Sequence, residues 1–218
     1  MAGGKLPPRQ KMIGLMYLVL LALLAMNVSK DILDAFIIVN DGIENSTESF
    51  ADKTNAYYAK FAAAAIDSES AKPFKEKADK VKKMSDEMFD YINEIKKFIV
   101  TATDKIPEGS PDSLYKINNV QSKDNYDAPT SAMGLGEPAT PKDGQYTAVE
   151  LRGKINKFQV DLLDLFKEDK EVQESMKKVL SILDTEDFGM VNGTNESWET
   201  GNFYHVPLAA VITILSKI

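Results

Sequence analysis

The sequence contains no cysteine and only one histidine, His205, among its 218 residues. Without cysteine the chain has no disulfide framework, no thiol nucleophile and no thiolate metal site. A single histidine argues against an imidazole metal centre and against a histidine-based catalytic triad. We therefore predict that the chain is not an enzyme and that it holds no cofactor or metal ion.

An excess of positive charge is also absent. The chain carries 33 acidic and 26 basic residues, for a net charge of −7. A nucleic-acid-binding surface needs a stripe of lysine and arginine that neutralises phosphates. The acidic balance therefore argues against a nucleic acid as a partner.

No charged residue lies between Lys11 and Lys30, where the chain reads MIGLMYLVLLALLAMNVS. A helix needs about 20 apolar residues to cross the hydrocarbon core of a bilayer, and about 17 is the lower limit. Apolar side chains cover every face of the helix that this run would form, which is typical of a helix in lipid or inside a membrane complex. We predict a transmembrane helix over residues 12–30, with membrane lipid as a partner.

The charges on either side of this run predict its orientation. Basic side chains and no acid precede it, whereas Asp31 and Asp34 follow it. Because basic residues near the first span stay on the cytoplasmic side, residues 1–11 are predicted to be cytoplasmic and residues 31–218 to lie outside the membrane. A cleaved signal peptide is the alternative, but the length of the apolar run and the lack of a small-residue cleavage site favour an uncleaved anchor.

Between Gly14 and Gly42 the sequence contains neither glycine nor proline. Sharp bends in helices need such residues or an inserted bulge, so the membrane helix is predicted to continue unbroken into an outer helix over residues 31–65. The apolar residues of this outer helix recur at three- and four-residue steps or their sums, which is the spacing of one helix face. They are Ile32, Phe36, Val39, Ile43, Phe50, Tyr57 and Phe61. An unbroken helix would carry a tilt or rotation of the membrane segment into the outer domain.

Further helices are predicted over residues 71–103, 147–167, 170–183 and 207–218. The first of these is the clearest, because apolar residues at seven-residue intervals form a core seam typical of an antiparallel bundle. That seam consists of Phe74, Val81, Met88, Ile95 and Ala102. Thr147 and Glu150 have the spacing of a capping box that begins the next helix. The predicted fold class is all-α, with one N-terminal transmembrane helix that continues into a helical bundle.

Residues 104–144 interrupt the helical pattern with many prolines and glycines. Loops of roughly forty residues inside a compact domain are usually functional or mobile. The Gly134-Leu135-Gly136 stretch has no phosphate-loop lysine and no preceding strand, so it does not predict a nucleotide site. We expect this loop either to face a partner or to cover the bundle. Trp198 and His205 are interpreted as packing or loop residues, and the apolar helix that ends at Ile218 is expected to pack into the bundle and to lead into further domains.

Arg9 and Tyr17 are the candidate functional residues. An arginine at this depth either extends to lipid phosphates or faces a carboxylate inside the membrane. Asp31 is 22 residues away from Arg9, about 33 Å along a helix, so such a carboxylate would come from another chain. The Tyr17 hydroxyl would lie deeper than the usual aromatic belt, where the residue is either an interface aromatic or a hydrogen-bond donor to a partner.

The N-terminal sequence KLPPRQKMIGLMYLVLLALLAMNVSKDILDAF resembles the start of the GldM (PorM) family of the Bacteroidota type IX secretion and gliding machinery. The resemblance is specific, because PPRQKMI followed by LMYLVL and ALLAMNVS is not a generic apolar string, and it extends over the whole chain. It implies a bacterial inner-membrane subunit with one span and an all-helical first periplasmic domain. It also implies further β-rich periplasmic domains beyond Ile218.

The same resemblance implies partners and a function. The family assembles with a two-span membrane protein of the GldL (PorL) type as an ion-driven motor, and its later domains meet outer-membrane-associated secretion components. The motor is similar to the stators MotAB, ExbBD and TolQR, in which a ring of five chains surrounds a pair of single-span chains. Those stators carry an essential aspartate in the single span, whereas residues 12–29 contain none. The carboxylate is therefore expected in the ring partner, with Arg9 as its counter-charge and Tyr17 nearby.

The predicted function is the transmission of rotation or conformational work, driven by the ion-motive force, to the periplasmic part of the apparatus. Two other functions remain open, a static scaffold of an envelope machine and a sensor-type helical ectodomain. A sensor would normally need a second span, and no second run of about 20 apolar residues exists in the sequence.

Overall fold

The first helix, α1, extends without a break over Pro8–Asp67, a length of 60 residues. The computed structural model describes residues 7–107, 109–136, 140–191 and 193–218, the side chains of residues 23–29 and 67 excepted. Pro8 occupies the first turn of α1, where the missing N–H has no helical acceptor and its loss costs nothing. The predicted continuity of the helix is confirmed. At about 1.5 Å per residue, α1 is about 90 Å long.

The N-terminal turns of α1 contain the predicted membrane span. The large apolar side chains over residues 12–21 are all exposed on the helix surface. The side chains of residues 23–29, which complete the predicted span, lie outside the described part of the chain. Among the described residues, no helix reaches the length and apolar content that crossing a membrane requires. The membrane span and its orientation therefore stay predictions.

The second helix, α2, extends over Lys72–Asp104 and follows α1 after a single 3-10 turn, Glu69–Ala71. It runs antiparallel to α1, and the Tyr58 hydroxyl donates to the Ala78 carbonyl oxygen at 3.0 Å. Lys105, with a left-handed φ of 54°, ends the helix. The two helices form a long hairpin whose residues 44–64 on α1 are mostly exposed.

The burial of side chains in this hairpin differs from the predicted core faces of α1 and α2. Of the predicted seam on α2 only Ile95 is buried, together with Ile92 and Ile99 beside it, whereas the ends of the seam, Phe74 and Ala102, are exposed. On α1 the predicted core face is wrong for Ile32, Val39, Phe50 and Tyr57, which are exposed. Phe36, which the prediction included, faces the core, and Leu33, Ile37 and Asn40 face it as well. The reason is that the core packs against α1 over a short stretch only, on a face rotated away from the apolar stripe.

The long loop predicted over residues 104–144 covers the core, as one of the two expectations for it states, and its contact with a partner stays a prediction. It contains a 3-10 turn, Asp112–Tyr115, and a short helix, α3, Asp127–Ala132. Its buried side chains include Ile117, Val120, Met133 and Leu135. Gly134 has a φ of 76°, and an added Cβ would lie 2.7 Å from the Lys142 carbonyl oxygen. The glycine there serves close packing of the backbone.

Helix α4, Ala148–Leu165, begins at the predicted cap, where Thr147 Oγ1 accepts a hydrogen bond from the Glu150 backbone N–H. The Glu150 carboxylate accepts from the backbone N–H of Tyr146 at 2.6 Å, one residue before the cap, whereas the Thr147 N–H of the predicted capping box donates to the Gly144 carbonyl oxygen. Helix α5, Lys170–Leu180, ends earlier than predicted and continues as a 3-10 turn, Ser181–Leu183.

The C-terminal part contains elements that the sequence reading missed. A two-stranded antiparallel hairpin, β1 Gly189–Val191 and β2 Thr194–Glu196, precedes a short helix α6, Trp198–Phe203. The last helix, α7, Leu208–Lys217, is buried on nearly every face, which confirms that it packs into the bundle. Apart from the short hairpin, the regular structure of the described residues is helical, and the all-α prediction is confirmed at that level.

Candidate functional site

Arg9 and Tyr17 lie on the N-terminal turns of α1 and point away from the domain. Both side chains are exposed, Tyr17 by 64%. Eight residues of helix place Tyr17 about 12 Å further along the axis and about a quarter turn around it. The structure therefore does not bring the two side chains together, and within its described part neither makes a hydrogen bond or an ion pair.

Beyond the apolar contacts of Leu33, Phe36 and Ile37, α1 meets the rest of the domain through a set of polar side chains that we name the polar junction: Asn40, Glu44, Lys96, Thr213 and Ser216. Asn40 is 0% exposed, the most buried residue of α1 among those described. Its Oδ1 accepts from the Ser216 hydroxyl at 2.6 Å, and its Nδ2 donates to Glu44 Oε1 at 2.9 Å. A buried amide with both ends bonded resists sliding or rotation of the helix, because any shift leaves a polar group unpaired.

A second bond in the junction attaches α7 to the backbone of α1. The Thr213 hydroxyl lies 2.8 Å from the Ala209 carbonyl oxygen and 3.3 Å from the Phe36 carbonyl oxygen. Thr213 and Ser216 are one turn apart on α7, as Phe36 and Asn40 are on α1. The two helices are therefore fixed in register over a full turn.

The loop after α2 adds a contact on another side of α1. Asn118 Nδ2 lies 3.0 Å and 3.1 Å from the two carboxylate oxygens of Asp41. Asp41 follows Asn40 directly, about 100° around the helix axis. Polar contacts thus hold consecutive residues of α1 from two directions.

Lys96 on α2 adds a charged side chain to the polar junction. Burial of its ammonium group lowers the pKa of Lys96 below the ordinary lysine value, and the nearby Glu44 carboxylate opposes that shift. Glu44 is also the residue that accepts from Asn40. The polar junction therefore connects α1 to α7 through hydrogen bonds and to α2 through the electrostatic attraction between Lys96 and Glu44.

A separate ion cluster holds the C-terminal hairpin against α4. Arg152 donates from Nη2 to Asp187 Oδ1 at 3.0 Å and from Nη1 to both carboxylate oxygens of Glu199 at 3.2 Å. Glu199 is nearly fully buried. Asp187 Oδ1 also accepts the backbone N–H of Trp198. A forked guanidinium between two carboxylates fixes the geometry of both partners.

Neither arrangement has the features of a catalytic site. Among the described residues no group of histidine, aspartate and glutamate side chains is placed to hold a metal ion. The polar junction can fix a helix and carry force, and the Arg152 cluster can hold a surface rigid.

Sequence reasoning did not find the polar junction. Asn40 directly follows the apolar stretch Phe36-Ile37-Ile38-Val39 and precedes Asp41, so the sequence gives it no mark beyond the end of that stretch. Thr213, Ser216 and Lys217 are the polar residues of the otherwise apolar last helix. Trp198 was interpreted as a packing residue, and it is buried with its indole N–H donating to the Asp184 carbonyl oxygen.

The family model described as the GldM N-terminal domain matches residues 31–218. No curated protein matches the chain. The matched region begins just before Leu33, the first residue of α1 that packs against the core.

Proposed function

The chain belongs to the family of GldM N-terminal domains, and from this membership we propose that it carries movement from the membrane to the outer part of the gliding and type IX secretion apparatus. The family identity makes the chain a membrane-associated component of that apparatus. The observation that carries the finer proposal is the unbroken α1, Pro8–Asp67, held at Asn40 by α7. A stiff helix attached by buried hydrogen bonds transmits rotation or tilt to the domain, whereas a flexible linker would absorb it.

In this proposal residues 12–30 cross the inner membrane once, with the N-terminus in the cytoplasm and residues 31–218 in the periplasm. The support is chemical. Eight large apolar side chains and Tyr17 are exposed over residues 12–21, and such a surface is stable only against lipid or a membrane partner. The basic residues on one side and Asp31 and Asp34 on the other favour this orientation.

Arg9 is the proposed coupling residue. Among the described residues it has no acidic partner, and the first acid along the chain is Asp31. We place opposite it a carboxylate of a two-span partner of the GldL type, arranged as a ring of about five chains around two copies of this chain, in the manner of the stators that it resembles. Protonation of one ring carboxylate would release Arg9 to meet the next. One charge moving through about 100 mV provides about 2.3 kcal/mol, which is enough to break a partly solvated ion pair.

Tyr17 lies about 12 Å deeper along α1 than Arg9. Its hydroxyl needs a hydrogen-bond acceptor in an apolar environment, and a group on the same ring partner would supply one. Arg9 and Tyr17 are thus proposed as two separate contacts with that partner.

A pair of these chains would meet along the exposed apolar stripe of α1. Ile32 and Val39 are seven residues apart, as are Phe50 and Tyr57, and all four are exposed. Seven-residue spacing on exposed helices is the pattern with which two parallel helices pack. The proposed homodimer would therefore keep both copies of α1 parallel outside the membrane, and domains following residue 218 would contact the outer-membrane-associated components.

Replacement of Arg9 tests the proposal. Arg9→Ala should abolish gliding and secretion while the complex with the membrane partner still assembles. The variant loses the proposed ion pair with the ring carboxylate and keeps the apolar contacts. The matched control is Lys11→Ala, which removes an exposed cation two residues away and should leave motility near normal. Normal gliding of the Arg9→Ala strain would reject the coupling role and leave a static scaffold as the better account.

A further inference from the structure

The C-terminal β-hairpin and the segment before it expose large apolar side chains. Ile182 is 69% exposed, Phe188 55% and Met190 73%. We name the hairpin surface as these three residues together with the acidic side chains of Asp184 and Glu186. Apolar residues scattered singly on a surface need no explanation, but three within nine positions of the chain mark an interaction site.

The hairpin surface is held in place. Arg152 binds Asp187, between Glu186 and Phe188, at 3.0 Å. The Phe188 ring lies on the α6 backbone at Gly201, where a Cβ would come within 2.4 Å of the ring. An apolar surface fixed before binding loses little conformational entropy when a partner docks.

The charge of this surface has one sign. The segment Asp184–Glu199 contains five acidic residues and no lysine, arginine or histidine. Arg152 is shared between Asp187 and Glu199, and no ion pair joins Asp184, Glu186 or Glu196 to a cation within the described residues. The complementary surface must therefore carry basic groups beside apolar ones.

The hairpin also has open edges. Strand β1 pairs with β2 and, in the described part of the chain, with no other strand. In an antiparallel pair every second residue turns its N–H and C=O away from its partner strand. Such an edge accepts an added strand through main-chain hydrogen bonds, and side-chain pockets and charges determine which sequences of the added strand bind.

We propose that the hairpin surface is a docking site for an extended segment of a partner protein in which lysine or arginine alternates with apolar side chains. A second copy of this chain does not fit, because a symmetric contact would bring the same acidic residues face to face. An anionic lipid surface does not fit for the same reason. The site lies on the α4–α6 side of the domain, separate from Arg9 and from the apolar stripe of α1, and so goes beyond the proposed coupling function.

Photo-crosslinking in cells that make the complete protein tests the site. A benzophenone amino acid at position 190 should give an adduct, and mass spectrometry should locate the cross-link in a partner segment that contains both basic and apolar residues. Adding Asp184→Lys and Glu186→Lys should reduce the adduct at least about tenfold, which corresponds to about 1.4 kcal/mol of binding free energy. The matched control, Glu171→Lys with Glu174→Lys on α5, should leave the adduct unchanged.

The proposal is overturned by an adduct no stronger than that of the same probe at position 157, by cross-linking to a second copy, or by cross-linking to a segment without basic residues. An adduct that survives the paired lysine substitutions in the hairpin surface also overturns it. The adduct should persist in the Arg9→Ala strain, so that failure of the coupling role and failure of this site give different results.

Discussion

The Ser216 hydroxyl donates to Oδ1 of Asn40 at 2.6 Å, although 176 residues separate them in sequence. This bond joins the last helix of the domain to the helix that enters it from the N-terminus. Because α7 is itself surrounded by the core, a force on α1 at Asn40 reaches the whole domain.

Asn40→Ala should lower the free energy of unfolding of the domain by about 1–3 kcal/mol, because Glu44 loses a donor and Ser216 an acceptor in a buried place. Urea denaturation, followed by circular dichroism, measures the change. Asn45→Ala removes an exposed amide from the same helix and serves as the control. Equal stability of the two variants would mean that the junction does not hold α1.

The junction also shows what the sequence could and could not predict. The continuity of α1 followed from the lack of glycine and proline between Gly14 and Gly42, which is a local property. The sequence did not reveal which face of α1 meets the core. The apolar stripe of α1 predicts one core face, whereas the domain also packs on Leu33, Ile37 and Asn40. Periodicity identifies an apolar stripe but not the surface that covers it.

Long-range packing explains the other features that could not be predicted from the sequence. Ile117 and Met133 are buried in a region without periodicity, so only their tertiary contacts place them in the core. The hairpin had a local signal, since Asn192-Gly193 is a preferred two-residue turn, but its strands are too short to alternate clearly. Arg9 and Tyr17 stay predictions, because their proposed partners belong to another chain.

Lys96 should make stability depend on pH. Its pKa in the folded chain is lowered from an ordinary value of 10.5. Between the lowered pKa and 10.5 the unfolded chain binds the extra proton, so this residue's contribution to stability rises with pH across that window and is constant below it.

The measurement for Lys96 is the difference in free energy of unfolding between the wild type and Lys96→Met. The difference in free energy of unfolding should shift in favour of the wild type as the pH rises through the lowered pKa of Lys96 towards 10.5. Tyr58 and Tyr91 have raised pKa values and act in the opposite direction, but they are common to both proteins and cancel. Lys80→Met, at an exposed position of α2, is the control. A pH-independent difference for Lys96→Met would show that the lysine is solvated.

The proposed homodimer predicts which cysteine pairs can form disulfides. The chain has no cysteine, so a disulfide in a single-cysteine variant can form only between the introduced residues of two chains. Phe50→Cys lies on the apolar stripe of α1 and should give an oxidised dimer, since a disulfide needs Cα atoms within about 7 Å. Asp52→Cys, also exposed, points to nearly the opposite side of the helix and should stay monomeric on a non-reducing gel. Equal dimer yield from the two positions would contradict a dimer through this stripe.

The most direct measurement of the central proposal is the gliding speed of a strain in which α1 is broken at one position. Asp34 is exposed and lies between the apolar run and the polar junction. Asp34→Pro removes a helical hydrogen bond and bends or breaks the helix there, at a local cost of about 3 kcal/mol, while the core that begins at Leu33 and Phe36 keeps its other contacts. With Asp34→Ala as the control, the proposal predicts that the proline strain assembles the complex but does not glide or secrete. Gliding at the control speed in the proline strain would contradict transmission through a continuous helix.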